Sequence, residues 1–296
     1  MRSAVEELSG RGVALSALYP TTRRLYRSVG YEPAGTYSEL GIPMRDLAGE
    51  ASPLPVRRLG PDDEAGVRAL YRDRAIRRQG HLDRGAYSWR RVLEPREGSA
   101  RAFVVGGPGA IEGYAIFYEK PTAARLHYDL IVTDLVASTE RAYRSLFSLL
   151  GQHATLGESV VLHTGPGDPV VQRLPDGHFK GGGVHHWMTR IVDVAAALSA
   201  RGYRTSDARL EMEVRDDVLR RNAGRWVLAI RDGRGHVERG GGGSLSLDVR
   251  GLAPLYTGHA SARDLSAQGL LSADETTLAV ADAVFEAWAP WMPDFF

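Results

Sequence analysis

Hydrophobic positions recur at helical spacing from the start of the chain, where Ala4, Val5 and Leu8 share a face and Glu6 and Glu7 fall off it. Gly10-Arg11-Gly12 predicts the end of that helix, and the apolar run over 13–18 reads as a strand. Pro20-Thr21-Thr22 then has the composition of a helix start, Leu25 and Val29 form an i, i+4 pair, and Gly30 supplies the stop. Residues 31–44 alternate as strand and turn. A helix, a strand, a short helix and another strand in roughly 45 residues are too few to close a core, so later chain must cover them. The stretch 46–55, with Gly49, Ser52, Pro53 and Pro55, reads as a linker.

From Val56 the pattern predicts a strand, a helix over 62–79 with Val67, Leu70, Tyr71 and Ile76 inward, and a helical segment at 87–93. Residues 102–105 and 111–118 flank Gly106-Gly107-Pro108-Gly109, which is a hairpin by its turn chemistry. A strand over 124–135, a helix over 139–150 and a strand over 160–163 follow, and the glycine-rich stretch 176–183 reads as a hinge. Beyond it the pattern gives a strand at 185–190, a helix at 193–201, and alternating strands at 210–214, 226–230 and 244–249. Helical turns at 251–257 and 261–267 and a helix at 274–287 complete the series. Gly240 to Gly243 read as a flexible hairpin tip. The tail from Trp288 is aromatic to its last residue and is expected to be buried. The fold class is therefore α+β, mixed sheets with helices packed on them.

Charge and composition narrow the function. The 296 residues carry 37 Lys+Arg against 36 Asp+Glu, a net charge of +1 that gives no basic field for nucleic acid or an anionic membrane, and neither partner is expected. No stretch has the length of an apolar membrane span and the start lacks a signal-peptide run, so the expectation is a soluble, cytoplasmic protein. The absence of cysteine excludes disulfides, thiolate metal sites and a cysteine nucleophile. No glycine-rich segment matches a P-loop or a dinucleotide fingerprint, and no GxSxG elbow occurs. His185 and His186 are adjacent, which sends them to opposite faces of a strand, and no metal site is expected. Arg68, Arg72, Arg74, Arg77 and Arg78 are interleaved with Asp73 and read as a solvated helix face.

One positive signal runs through the chain. The segment Leu15-Ser16-Ala17-Leu18-Tyr19-Pro20-Thr21-Thr22-Arg23-Arg24-Leu25-Tyr26-Arg27-Ser28-Val29-Gly30-Tyr31-Glu32 resembles the strand–helix–strand end of the first acetyltransferase domain in the Eis (enhanced intracellular survival) family of GNAT-fold N-acetyltransferases. Trp187-Met188-Thr189-Arg190-Ile191-Val192-Asp193-Val194 with Arg201-Gly202-Tyr203 is similar to the same family. So is Asn222-Ala223-Gly224-Arg225-Trp226 with the closing Pro290-Trp291-Met292-Pro293-Asp294-Phe295-Phe296. The resemblance implies mixed-sheet GNAT-like domains, the first one partial, followed by a sterol-carrier-protein-like α+β domain. The implied boundaries are 1–52 for the remnant of the first GNAT domain, 53–180 for a degenerate second one and 181–296 for the sterol-carrier-like domain.

The same resemblance implies transfer of acetyl from acetyl-CoA to a primary amine, on an aminoglycoside-like molecule, a peptide or a lysine, with no metal and in a homo-oligomer, a hexamer. Tyr26 matches the family's catalytic tyrosine, a phenol able to protonate the departing thiolate. The α-carboxylate of Phe296 matches the base that takes the amine proton; burial beside Trp288, Trp291 and Phe295 would raise its basicity. Thr21 matches a contact to the pantetheine end of the cofactor, and Asp294 is suited to orient a cationic amine. Members often have an acidic residue just before the final Phe, whereas here that place is Phe295.

The family's R/Q-x-x-G-x-G/A pyrophosphate loop is absent from the sequence, and roughly a hundred residues that would carry it are expected to precede Met1 in relatives, on the usual size of such a domain. The corresponding turn of the second unit, 132–141, has no glycine, and Asp134 and Glu140 are expected to repel phosphate there. The rival expectation is an inactive truncated scaffold acting as a small-ligand-binding or assembly protein.

Overall fold

A computed structural model describes the chain except Glu50, Pro108, residues 175–179 and Phe296. The first elements are α1 (Arg2–Gly10), β1 (Leu15–Leu18), α2 (Arg23–Arg27), β2 (Glu32–Pro43) and β3 (Val56–Arg58). There follow α3 (Glu64–Ala75), α4 (Ala86–Leu93), β4 (Arg101–Val105), β5 (Gly113–Pro121), β6 (Tyr128–Ala137), α5 (Glu140–Gly151), β7 (Gly157–Thr164) and α6 (Pro169–Gln172). The last third holds β8 (Lys180–Ile191), α7 (Val194–Ala200), β9 (Asp207–Arg215), β10 (Gly224–Arg231) and β11 (Arg234–Arg239). It ends with β12 (Leu245–Asp248), α8 (Val249–Thr257), α9 (Ala262–Ala267), β13 (Leu271–Ser272) and α10 (Glu275–Phe285). By packing, the chain divides into two units: Met1–Thr36 with His185–Pro290, and Tyr37–Val184 with the tail from Trp291.

In the first unit β1 runs antiparallel to the end of β8, Leu15 opposite Ile191 and Leu18 opposite Met188. The amphipathic α1 closes over them with Val5, in a small core with Val29, Tyr31, Met188, Val192 and Leu219. The expected Leu25–Val29 pair does not form. The helix is a single turn, Val29 lies beyond it, Leu25 is exposed, and Tyr26 takes the inward position instead. The turn after α2 needs Gly30, whose φ is 90° and where a Cβ would sit 2.8 Å from Arg190 Cζ.

The rest of this unit is a five-stranded sheet in the order β11-β10-β9-β12-β13, with helices packed against it around Leu198, Met212, Leu228, Leu247 and Phe285. Because β12 pairs with β9 in parallel, residues 240–243 form a crossover and not the expected hairpin tip. The Gly242 N–H is held by Glu211 Oε2 at 2.5 Å. Strand β11 has no counterpart in the sequence reading, since its residues are mostly polar, as suits a strand at the sheet edge.

In the second unit residues 38–43 of β2 pair with β7, and the order continues β6-β5-β4-β3. All pairs are antiparallel except β6 with β7. Helix α5 covers one face with Leu146 and Leu150, while α3 and α4 cover the other with Val67, Tyr71, Trp89 and Val92. The helix expected over 62–79 stops at Ala75, which leaves Ile76, expected inward, exposed at its C-cap. Arg74 leaves the solvated face expected of its run. It turns inward, donates from Nη1 to the Leu135 carbonyl at 3.0 Å and pairs with Asp168 at 3.1 Å. Of the expected hinge 176–183, residues 176–179 lie outside the described residues and 180–183 belong to β8.

Candidate active site

Thr21 and Tyr26 fall in the first unit, Asp294 falls in the second, and Phe296 lies outside the described residues. Thr21 is exposed in the connection from β1 to α2. Tyr26 is half-buried, its ring edge-on to Tyr31 with centroids 5.9 Å apart. Its carbonyl accepts the N–H groups of Val29 and Tyr31 at 3.1 and 3.2 Å, which closes the turn after α2. The two tyrosines differ in their hydroxyls. That of Tyr31 is 2.8 Å from Ser16 Oγ, whereas that of Tyr26 has no hydrogen-bond partner among the described residues. A phenol held by its ring with its proton uncommitted is able to give that proton up.

In the second unit Asp294 is buried against Arg84, whose Nε donates to Oδ1 at 2.8 Å. Arg84 Nη1 donates to Asp134 on β6, which also accepts the Tyr114 hydroxyl at 2.7 Å. The guanidinium lies 3.8 Å from the Tyr71 ring centroid and 5.0 Å from that of Trp89, a cation–π enclosure. Burial raises the Asp294 carboxyl above the usual carboxylate range, with Arg84 opposing. Burial works the same way on Asp134, but the Arg84 charge and its hydrogen bonds outweigh it and hold the group low. Arg84 stays charged because its two carboxylates overcome its own desolvation. The charge of Asp294, expected to meet a cationic amine, is thus already paired within the chain.

The tail is less buried than expected: Trp291 and Met292 are enclosed, while Trp288 and Phe295 are largely exposed. Phe295 rests on Tyr37, ring centroids 5.9 Å apart, and Tyr37 in turn lies 4.7 Å from the His163 ring. These residues with Glu39, Tyr118 and Asp294 line a groove of about 570 Å³ beside the chain end. Burial keeps the Tyr37 hydroxyl protonated and pushes His163 down to about 4, so both face the groove uncharged at neutral pH.

A β-bulge separates β6 into two parts. Pairing with β5 shifts register between Phe117 and Ile116, leaving Thr133 extra, its hydroxyl donated to the Val92 carbonyl at 2.9 Å. Parallel pairing with β7 ends at Val132 opposite Leu162. Beyond that point the space beside Asp134–Val136 holds Trp291, His81, Arg74 and Asp168, and a cavity of about 20 Å³ remains, room for about one water. At the following turn Thr139 caps α5 by accepting the Ala142 N–H at 3.1 Å. Asp134 faces Arg84 and not this turn, contrary to the expected repulsion of phosphate, while Glu140 stays exposed. The residues of this unit do not fit acetyl-CoA between β6 and β7, because their own side chains fill the wedge.

Arg84, Tyr71 and Asp134 were not legible as a group in the sequence. Arg84 sits in the polar loop 80–85, and the available signal was the carboxylate of Asp294 inside an aromatic tail, which requires a buried cation.

Residues 80–191 match the family model of an acetyltransferase (GNAT) domain, and residues 194–293 match that of a sterol carrier protein domain. The chain is 33% identical to a GCN5-related N-acetyltransferase of Anabaena variabilis whose crystal structure superimposes with a TM-score of 0.94, covering 100% of this chain and 76% of that one. The crystal structure of Eis1 from Mycobacterium abscessus is 25% identical with a TM-score of 0.77, over 100% of this chain and 76% of that one. N-acetyltransferase Eis of Mycobacterium tuberculosis is 28% identical over 98% of this chain and 74% of its own length.

Proposed function

Because the chain belongs to the GCN5-related N-acetyltransferase family and is a homologue of Eis, we propose that it takes part in transfer of an acetyl group from acetyl-CoA to a primary amine, without a metal. Acetyl-CoA supplies the activated thioester. The amine nitrogen attacks its carbonyl, a C–N bond forms and the C–S bond breaks. In this chain the α-carboxylate of Phe296 takes the amine proton, Tyr26 protonates the leaving thiolate, and Thr21 meets the pantetheine end. The acceptor is a small-molecule or peptide amine, and the working state is a cytoplasmic homo-oligomer. No helix among the described residues is long and apolar enough to cross a membrane.

What carries this reading is Tyr26, whose ring is fixed and whose hydroxyl is uncommitted among the described residues. One observation favours the second reading, a scaffold that binds a ligand or a partner without chemistry: the wedge between β6 and β7 is filled. Calorimetric titration of acetyl-CoA decides between them. It is run on the 296-residue chain and on a form extended at its start to the length of the relatives, of which the present chain spans about three quarters. Binding by either form, with thiol release on adding a primary amine, is the result expected. No binding by both forms leaves the scaffold reading.

A further inference from the structure

The groove of about 570 Å³ in the second unit has the size of a small-ligand site, and strand register fixes the order of the side chains on its floor. Tyr37 and Glu39 stand two apart on β2 and share one face of the sheet. Glu39 is opposite His163 of β7, Val161 of the same strand is opposite Ile131 of β6, and Ile131 is opposite Tyr118 of β5. The floor therefore runs from a carboxylate on β2, across Val161 and Ile131, to a phenol on β5. Phe295 rests on Tyr37 and walls the β2 side.

The charges are sorted along the same line. On the β2 side Glu39 has no charged partner among the described residues: His163 Nε2 lies 3.9 Å away but burial keeps that ring neutral, and Asp294 is taken by Arg84. On the far side the segment from Arg91 to Glu97 lies over β6 and β5, because the Val92 carbonyl accepts the Thr133 hydroxyl at 2.9 Å and Glu97 takes the Lys120 ammonium at 3.0 Å. Asp129 of β6 accepts the Ser159 N–H at 3.0 Å and stands across from Lys120. Arg91 and Arg96 line the groove from this segment, and neither has a carboxylate partner among the described residues. The far side thus keeps an excess of positive charge.

Negative charge at one end, positive charge at the other and apolar and aromatic surface between them match a ligand with an ammonium at one end and a carboxylate at the other. Guanidinium groups suit the carboxylate, and a long polycation is repelled by them. Neighbouring strands lie about 4.8 Å apart, so β2 and β6, with β7 between them, are separated by about 10 Å. About three extended residues span that distance.

We propose that the groove takes as acetyl acceptor the N-terminal amine of a short peptide with a free C-terminus. Glu39 holds the ammonium, Arg91 and Arg96 hold the carboxylate, and Tyr37, Tyr118 and Phe295 receive an aromatic side chain between the two ends. Calling the peptide an acceptor rests on the acetyl transfer proposed above, whereas the peptide site does not.

The test titrates peptides into the 296-residue chain without acetyl-CoA, followed by ligand NMR. Gly-Phe-Gly is the probe. Its C-terminal amide removes the carboxylate, its N-acetyl form removes the ammonium, and spermidine supplies a polycation. Each of these three should bind about ten-fold more weakly than Gly-Phe-Gly, the worth of a hydrogen bond to a charged group. Glu39 and Arg96 are exposed and Arg91 is half-buried, so replacing them with glutamine should leave the circular dichroism unchanged. Glu39→Gln should weaken Gly-Phe-Gly about ten-fold and spare its N-acetyl form, while Arg91→Gln with Arg96→Gln should weaken Gly-Phe-Gly to a similar degree and spare its amide. Only a matched charge gives that pairing of losses, since a structural role would weaken every ligand alike.

Failure of Gly-Phe-Gly to bind, equal affinity for its amide, or tighter binding of spermidine overturns the proposal. Thiol release from acetyl-CoA separates it from the reading on which it rests. If Gly-Phe-Gly binds as described and neither the 296-residue chain nor its extended form acetylates it, the peptide site stands and acetyl transfer fails. If Gly-Phe-Gly is acetylated with an unchanged KM in all of these variants, acetyl transfer stands and the groove is not its acceptor site.

Discussion

Gly165 and Trp291 adjoin so closely that a Cβ on the glycine would lie 2.1 Å from Cγ of the indole. The contact joins the end of β7 to the tail within the second unit, and it explains why a chain terminus, ordinarily frayed, is packed at this point. The indole also meets the His81 ring edge-on at 4.6 Å, so it is gripped from two sides.

Replacing Gly165 with alanine should therefore expel the indole from its place. Overpacking of this kind costs about 1–3 kcal/mol. Urea unfolding followed by tryptophan fluorescence should give a lower midpoint and a red-shifted native spectrum. An unchanged midpoint and spectrum would mean that the tail does not bear on this wall.

Acid should weaken the fold through two histidines held neutral in the second unit. Both ring nitrogens of the half-buried His81 are enclosed without partners among the described residues, and desolvation, with the Arg74 charge adding to it, pushes its pKa down from 6.5 to about 3. His163 is pushed down by burial to about 4. An unfolded chain protonates both near pH 6.5 while the folded chain leaves them neutral, so stability is complete above that pH and falls as pH drops towards 3. The loss is of the order of several kcal/mol, because each tenfold difference in proton affinity between the folded and unfolded chain is worth about 1.4 kcal/mol. Urea midpoints measured from pH 8 to pH 4 should decline below pH 6.5 in the parent. The decline should be shallower in His81→Leu. Parallel curves would assign the acid sensitivity to other groups.

What the sequence made legible follows from where the free energy lies. Helix α5 was readable because Thr139 caps it and Leu146 and Leu150 recur on one face, and the β4–β5 hairpin because its glycines demand a turn. Tyr26 stood out only through the surrounding motif, since burial alone does not distinguish it from a core tyrosine. The Arg84 site was invisible because its parts come from a loop, two strands, a helix and the tail, and no local period links positions 71, 84, 114, 134 and 294. The inward turn of Arg74 was hidden for the same reason: its partner Asp168 is far along the chain. Strand β11 was missed because an edge strand has few apolar residues to alternate.

Two residues from the matching motifs prove to be parts of one buried network in the first unit. Arg190 Nη2 donates to both oxygens of Asp216 at 2.8 and 2.7 Å, and Asn222 Nδ2 donates to Asp216 Oδ2 at 2.9 Å. Asn222 Oδ1 accepts the Val194 N–H at 3.1 Å, so the motif secures the start of α7. Asp216 Oδ1 also accepts the Val218 and Leu219 N–H groups at 3.0 and 2.9 Å. Asp216→Ala strands these donors together with the guanidinium and should cost about 3–5 kcal/mol, whereas the double change Arg190→Met with Asp216→Leu, which removes the stranded charge and leaves only the donors unpaired, should cost less. Denaturant midpoints of the parent, the single and the double variant decide it. Equal losses in the single and double variants would show that the Asn222, Val218 and Leu219 donors, and not the guanidinium charge, account for the cost.

The last prediction isolates chemistry from fold at Tyr26. Its ring lies edge-on to Tyr31 and packs against the cluster that includes Val5 and Val29, and phenylalanine keeps that packing. Its hydroxyl has no partner among the described residues, so removing it leaves no buried group unsatisfied and should move stability by less than about 0.5 kcal/mol. If Tyr26 protonates the leaving thiolate, Tyr26→Phe should nevertheless lower kcat by about 10²–10⁴-fold, the usual worth of a positioned general acid, with acetyl-CoA affinity retained. The measurement is thiol release under saturating acetyl-CoA beside a thermal unfolding curve of the same sample. A loss of turnover with an unshifted curve assigns the hydroxyl to the reaction. Turnover within two-fold of the parent removes it, because a group that gives a proton in the transition state cannot be deleted without a change in rate.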